Sequence, residues 1–310
     1  MHLLIPLLGS LLFVCSLILV KRASAAVADE QGEKTTGKDS RDVEEDHLSP
    51  LTTLFFANMF AALIFSAFWG LGGTIPGWTS LHQPFVVAVL YCVGLGITFL
   101  AISHGDVSIA TPVLGVKVIL VAILLAVTGT EDLPASMFVA AALASLGIAL
   151  IQWTSRGHRH HVLLTIVLAV VAATMFAYCD LVIQRWAPAW GTGRFLPIAF
   201  WFVGLLSLSL IPAVQWSLLR RREVAVWLLP GACLMAMQAV CITFTLAIFG
   251  DAARVNVVYA LRGMWAVGLA WLAGKIWGGG EAELTRTEIW QRLAGATLLT
   301  TAVIVAILVR

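Results

Sequence analysis

One feature constrains this chain more than any other: apolar stretches follow one another almost without a break. Residues 2–20, 50–72, 84–103, 107–128, 134–152, 162–186, 195–214, 225–249, 253–274 and 289–309 are each close to the length of a membrane crossing. A spanning helix takes roughly 17–25 mostly apolar residues. Inside lipid every backbone polar group must find a partner within the protein, which leaves helices or a closed barrel. A barrel would show short segments of alternating polarity, and none appear. The expectation is an all-α polytopic membrane protein with ten transmembrane helices.

Composition agrees. Hydrophobic residues make up 60% of the 310 residues and charged residues 12%, and mean hydropathy is +0.94. Soluble domains are about 45–50% apolar and about 25% charged. A soluble enzyme, a disordered chain and a fibrous repeat are excluded on these grounds. The five cysteines (Cys15, Cys92, Cys179, Cys233 and Cys241) all fall inside expected spans. They read as small buried hydrophobes, not as a disulfide framework or a metal site. Residues 2–20 resemble a signal sequence only superficially. No base precedes them, and Lys21 and Arg22 follow them as a stop-transfer pair would.

Thirteen of the 19 lysines and arginines lie in the loops after spans 1, 5, 7 and 9, against four on the other face. Positive residues favour the cytoplasm, so both termini are expected outside. The first loop, 21–49, is the one long polar stretch. It carries eight acids and five bases and no aromatic residue, and it reads as a disordered tether.

The chain repeats itself. Gly105-Asp106 opens span 4, with Lys117 eleven residues beyond the aspartate. Gly250-Asp251 opens span 9, with Arg262 eleven beyond. Thr98-Phe99 matches Thr243-Phe244 at the same offset of 145. Spans 1 and 6 align at an offset of 164, with Cys15-Ser16-Leu17 over Cys179-Asp180-Leu181 and Lys21 over Arg185. Five spans per repeat put the second half upside down relative to the first. The expected units are 1–152 and 162–310, two inverted five-helix repeats, a plan common in secondary transporters.

On this plan, and on the stretches Gly105-Asp106-Val107-Ser108-Ile109-Ala110-Thr111-Pro112 and Gly250-Asp251-Ala252-Ala253-Arg254-Val255, the chain resembles the drug/metabolite transporter superfamily in its ten-span form with two EamA-type repeats. The second stretch departs from the pattern, with Val257 where the first repeat has Pro112. The resemblance implies secondary transport of amino acids, sugars, nucleotide sugars, organophosphates or drugs. It also implies basic residues in spans 4 and 9 where plastid phosphate-exchanging members bind their anions.

Two cations are expected near mid-membrane, Lys117 and Arg262. At a helix centre each costs roughly 2.5–3.5 kcal/mol on insertion scales, so both should face the bundle interior. They are candidate ligands for an anionic group, with Arg262 suited to bidentate recognition. The alternative is a structural or gating pair with Asp180, the one acid well inside a span. Asp180 is also a candidate proton-coupling group, as acids inside spans often serve in proton relays. Tyr259 and Trp265 share a face with Arg262, and Asn58 and Gln238 are polar residues deep in spans 2 and 8. These four are candidate substrate contacts. Pro112 is a candidate kink one turn before Lys117, and Asp106 and Asp251 are candidate N-caps of spans 4 and 9.

The reading is a secondary transporter of a small polar metabolite, and not an enzyme. It needs no cofactor and no metal, and its partners are a small solute, membrane lipids and, for coupling, protons. No nucleic-acid module is visible, and a monomer and a homodimer both fit. Two alternatives stand beside it. One is an exporter of neutral or aromatic amino acids or drugs whose buried charges are structural. The other is a non-transporting scaffold or lipid scramblase. A bacterial inner membrane is the expected location.

Overall fold

A computed structural model describes residues 2–35, 48–103, 113–129, 133–152, 162–277 and 286–308. Among them the chain is helical throughout, with no strand. Its main helices are α1 (Leu4–Thr35), α2 (Pro50–Ser66), α3 (His82–Ser103), α4 (Lys117–Val127), α5 (Ala135–Gln152), α6 (Val162–Trp190), α7 (Thr192–Ser207), α8 (Arg222–Phe249), α9 (Ala252–Tyr259), α10 (Arg262–Trp277) and α11 (Arg286–Leu308). Short 3₁₀ turns at Ala67–Leu71 and Leu208–Ala213 extend α2 and α7.

Seven helical stretches among the described residues are long and apolar enough to cross a membrane. They correspond to the expected spans 1, 2, 3, 6, 7, 8 and 10. The other three expected spans appear as shorter helices: α4, α5, and α9 with α10. The segment expected as one helix over 253–274 is divided at Ala260 and Leu261. Large apolar side chains stay exposed on the outer faces, among them Leu63, Val127, Leu163 and Leu308. In water so much exposed apolar surface would drive association. In a bilayer it is the lipid-facing coat.

The first loop is shorter than expected. α1 runs on to Thr35, through part of the stretch read as a tether. The alanines at 23, 25, 26 and 28 favour helix. Ala23 and Val27 also gain burial against Leu48, Leu218, Val224 and Leu228. Packing thus extends the helix through residues whose charge alone suggested a loop.

α1 packs along α8, and α3 along α6. α2 packs on α7 and α8, and α3 also on α7. α4 lies against α6 and α9, while α1 also meets α10. α5 lies along α11, and glycines let the two come close: a Cβ on Gly147 would sit 2.9 Å from the Gly295 carbonyl oxygen. Small residues at such crossings are the usual means of helix packing in lipid, where no hydrophobic drive separates helix from solvent.

Candidate functional site

The site grows from two places where a helical run is interrupted. Before Lys117 the helix breaks at Gly115 and Val116, and before Arg262 it breaks at Ala260 and Leu261. Three hydrogen bonds around each break correspond. Val116 N–H donates to Val113 at 3.0 Å, and Leu261 N–H to Val258 at 3.1 Å. Val118 donates to Gly115 at 3.3 Å, and Gly263 to Ala260 at 3.1 Å. Leu120 donates to Val116 at 3.1 Å, and Trp265 to Leu261 at 3.2 Å. Every donor and acceptor in the second set lies 145 residues after its counterpart. Each break tightens one turn to i→i+3 bonds, which shifts the axis without leaving the amides unpaired. The freed Gly115 carbonyl also accepts the Ser145 hydroxyl of α5 at 3.2 Å.

Each break delivers a cation as the first residue of the next helix. A cation at a helix N-terminus opposes the positive end of the helix dipole. Helix stability therefore does not explain either placement, and each needs compensation from elsewhere.

Lys117 receives it from α6. Its Nζ lies 2.7 Å from Asp180 Oδ2, with side-chain exposures of 16% and 7%. The same oxygen accepts the Asn256 Nδ2 donor at 2.7 Å, and that nitrogen also donates to the Ala252 carbonyl at 3.0 Å. Lys117 further sits 5.9 Å from the centre of the Phe176 ring. One buried carboxylate thus joins α4, α6 and α9.

Arg262 is placed differently. Its guanidinium lies 4.7 Å from the centre of the Tyr259 ring and 5.4 Å from that of Phe13. The two rings are 6.3 Å apart and tilted. Among the described residues no carboxylate meets Arg262. Cation–π contact and a hydrogen bond to the Tyr259 hydroxyl offset part of the charge, but neither ring supplies a negative charge to the guanidinium.

The other candidates scatter. Asn58 donates to the Ser207 hydroxyl at 2.7 Å, a buried link between α2 and α7. Trp265 turns its indole N–H to Ser10 of α1 at 3.1 Å. Gln238 lies half-buried on α8, beside the close approach of Gly9 on α1. Tyr259 alone of the four candidate contacts touches a cation. Pro112, Asp106 and the first Gly-Asp turn lie outside the described residues.

Asp251 holds the N-cap position of α9 but does not cap it. Its carboxylate is engaged by Arg254 at 3.1 Å and by His2 at 3.2 Å. The cap comes instead from Gln184 of α6, whose Oε1 accepts the Ala252 N–H at 2.9 Å. Sequence reasoning missed Gln184, Asn256 as a ligand of Asp180, and Phe13. Gln184 stands one turn after Asp180, and that spacing was the available signal, since residues four apart share a helix face.

With this geometry in view, the comparisons with known proteins are informative. Residues 41–153 match the EamA-like transporter family. That stretch holds α2 to α5, including the first break and Lys117. No curated protein matches the chain. A solved structure titled "Crystal structure of protein" has a TM-score of 0.59 at 12% identity, over 96% of this chain and 99% of that one. Identity that low speaks for the fold alone, but it does so over nearly the whole length. The match likens residues 41–153 to that family, within a chain whose described residues form an all-α, multi-span membrane protein. Among the described residues no group of three His, Cys, Asp or Glu stands together as a metal site would require.

Proposed function

We propose that this chain is a secondary transporter that moves a small anionic metabolite by alternating access. On this reading it has ten crossings in two inverted five-helix halves, 1–152 and 162–310. Broken helices that carry polar groups to mid-membrane are the common device of such transporters. The observation that carries the reading is the pair of matched breaks, each followed by a half-buried cation at an offset of 145.

Packing supports the two halves. The contacts of α1 with α8 and of α6 with α3 exchange when the halves are exchanged. So do those of α2 with α8 and of α7 with α3, and those of α6 with α4 and of α1 with α10. The side-chain bond from Thr98 to the Gly94 carbonyl recurs from Thr243 to Ala239, 145 residues on. Rocking of one half against the other would then expose the region between Lys117 and Arg262 to each face in turn. A bacterial inner membrane and outside termini complete the reading.

The test is uptake into proteoliposomes under an imposed gradient, with radiolabelled organic acids, amino acids and cationic drugs as solutes. Uptake of organic anions that Arg262→Ala abolishes is the expected result. Uptake of neutral or cationic solutes, unaffected by that change, would overturn the anion assignment and favour an exporter with structural charges. That second reading draws on one observation, the neutralisation of Lys117 by Asp180.

A further inference from the structure

The two cations are equivalent by position but not by surroundings. Under the repeat, Lys117 corresponds to Arg262 at an offset of 145, and Asp180 corresponds to Ser16 at 164. Lys117 has an aromatic ring, Phe176, and four residues further along the same helix an acid, Asp180. Arg262 has an aromatic ring, Phe13, and three residues further along the same helix a serine. The Ser16 hydroxyl is fully buried and donates to the Phe13 carbonyl at 2.6 Å. Where the first cation has a built-in carboxylate, the second meets none among the described residues.

We propose that Asp180 is an internal counter-ion that sets the substrate site to a single positive charge, so that the solute it accepts is a monoanion held by Arg262. This rests on the anion-transport reading above and names its substrate class. Two cations and one carboxylate sum to one positive unit. The charge left over is on the guanidinium, whose planar fork matches a carboxylate in two parallel hydrogen bonds. The flanking Tyr259 and Phe13 rings suit an apolar or aromatic frame behind that carboxylate. A dianion would bring one charge more than the site can neutralise while Lys117 stays on Asp180. In a low-dielectric interior an uncompensated charge is strongly disfavoured.

The experiment measures ligand-induced thermal stabilisation of the full-length protein purified in detergent, at about pH 7.5. The probes are 3-phenylpropionate, phenyl phosphate and 3-phenylpropan-1-ol. They carry one, close to two and no negative charges there. Binding to the native state raises its stability by mass action, so apparent affinities follow from concentration series. The wild type is expected to bind 3-phenylpropionate at least about tenfold more tightly than either other probe. Asp180→Asn leaves Lys117 without its acid and should move the preference toward phenyl phosphate by about tenfold or more. The double variant K117Q/D180N restores the net charge and should keep the wild-type preference. Ser16→Asp gives Arg262 an acid of its own and should abolish binding of 3-phenylpropionate.

Should Asp180→Asn fail to fold, K117Q/D180N and Ser16→Asp decide the matter. Loss of the preference in the first, or its retention in a folded second, overturns the proposal. Tightest binding of phenyl phosphate by the wild type overturns the single-charge site while leaving an anion transporter. Binding of neither anion, with uptake of a neutral solute by the same preparation in liposomes, overturns the anion reading together with it.

Discussion

Gly147 of α5 and Gly295 of α11 shield each other's backbone. A Cβ on the first would lie 2.9 Å from the carbonyl oxygen of the second, and a Cβ on the second would lie 2.7 Å from that of the first. Helices that approach this closely have no room for a side chain. Gly147→Leu should force α5 and α11 apart and cost about 1–3 kcal/mol, the usual penalty of overpacking. Thermal unfolding in a fixed detergent would register it as a lowered midpoint, with an unchanged midpoint counting against the contact.

A second glycine is held for its backbone. Gly191 joins α6 to α7 at φ 75° and ψ 145°, and its Cα lies against Gly73. That conformation is essentially confined to glycine, and a side chain there costs of order 1–3 kcal/mol. Gly191→Ala is expected to lose at least as much stability as Gly147→Leu. The Thr74 amide donates to the Trp190 carbonyl across the same junction at 2.8 Å. Hydrogen exchange at Thr74 should therefore speed up in this variant, and protection equal to the wild type would contradict the account.

For Lys117 and Asp180 the single and double changes should differ sharply in size. Removing one partner of a buried pair leaves the other uncompensated, at about 3–5 kcal/mol. Replacing both with apolar residues of similar size is often neutral. Lys117→Met and Asp180→Leu are each expected to lower the thermal midpoint sharply, and the double variant to recover most of the loss. Additive losses would mean that the two side chains do not interact in the native protein.

Asn58 should behave as a helix tie. Its bond to Ser207 joins α2 to α7, and interhelical bonds of this kind average about 0.6 kcal/mol in membrane proteins. Asn58→Leu is expected to cost about that much stability and to leave the ranking of transported solutes as it is. A changed ranking in the uptake assay would return Asn58 to the substrate path.

What could be read from the sequence, and what could not, divides along physical lines. Lys117 and Arg262 stood out because a charge in an apolar run is expensive wherever it points. Their common spacing from a Gly-Asp pair pointed to the proposed repeat. The breaks in front of them left almost no trace, because Ala260 and Leu261 are good helix formers and only Gly115 is a poor one. Packing overrides local preference there. The meeting of Asp180 with Lys117 was conceivable only because few acids lie inside spans. That Asn256 joins them could not be seen, since its partner lies 76 residues away in sequence. Arg262 between Phe13 and Tyr259 depends in the same way on α1 passing beside α9 and α10.

α6 grips α9 twice, through Gln184 at its first amide and through Asp180 at Asn256, four residues further along. Two attachment points one turn apart fix both the distance and the rotation of one rod on another. α6 and α9 therefore supply a ruler inside the molecule. Spin labels on their outward faces would give a separation that stays constant, against which displacements measured elsewhere in the bundle can be calibrated.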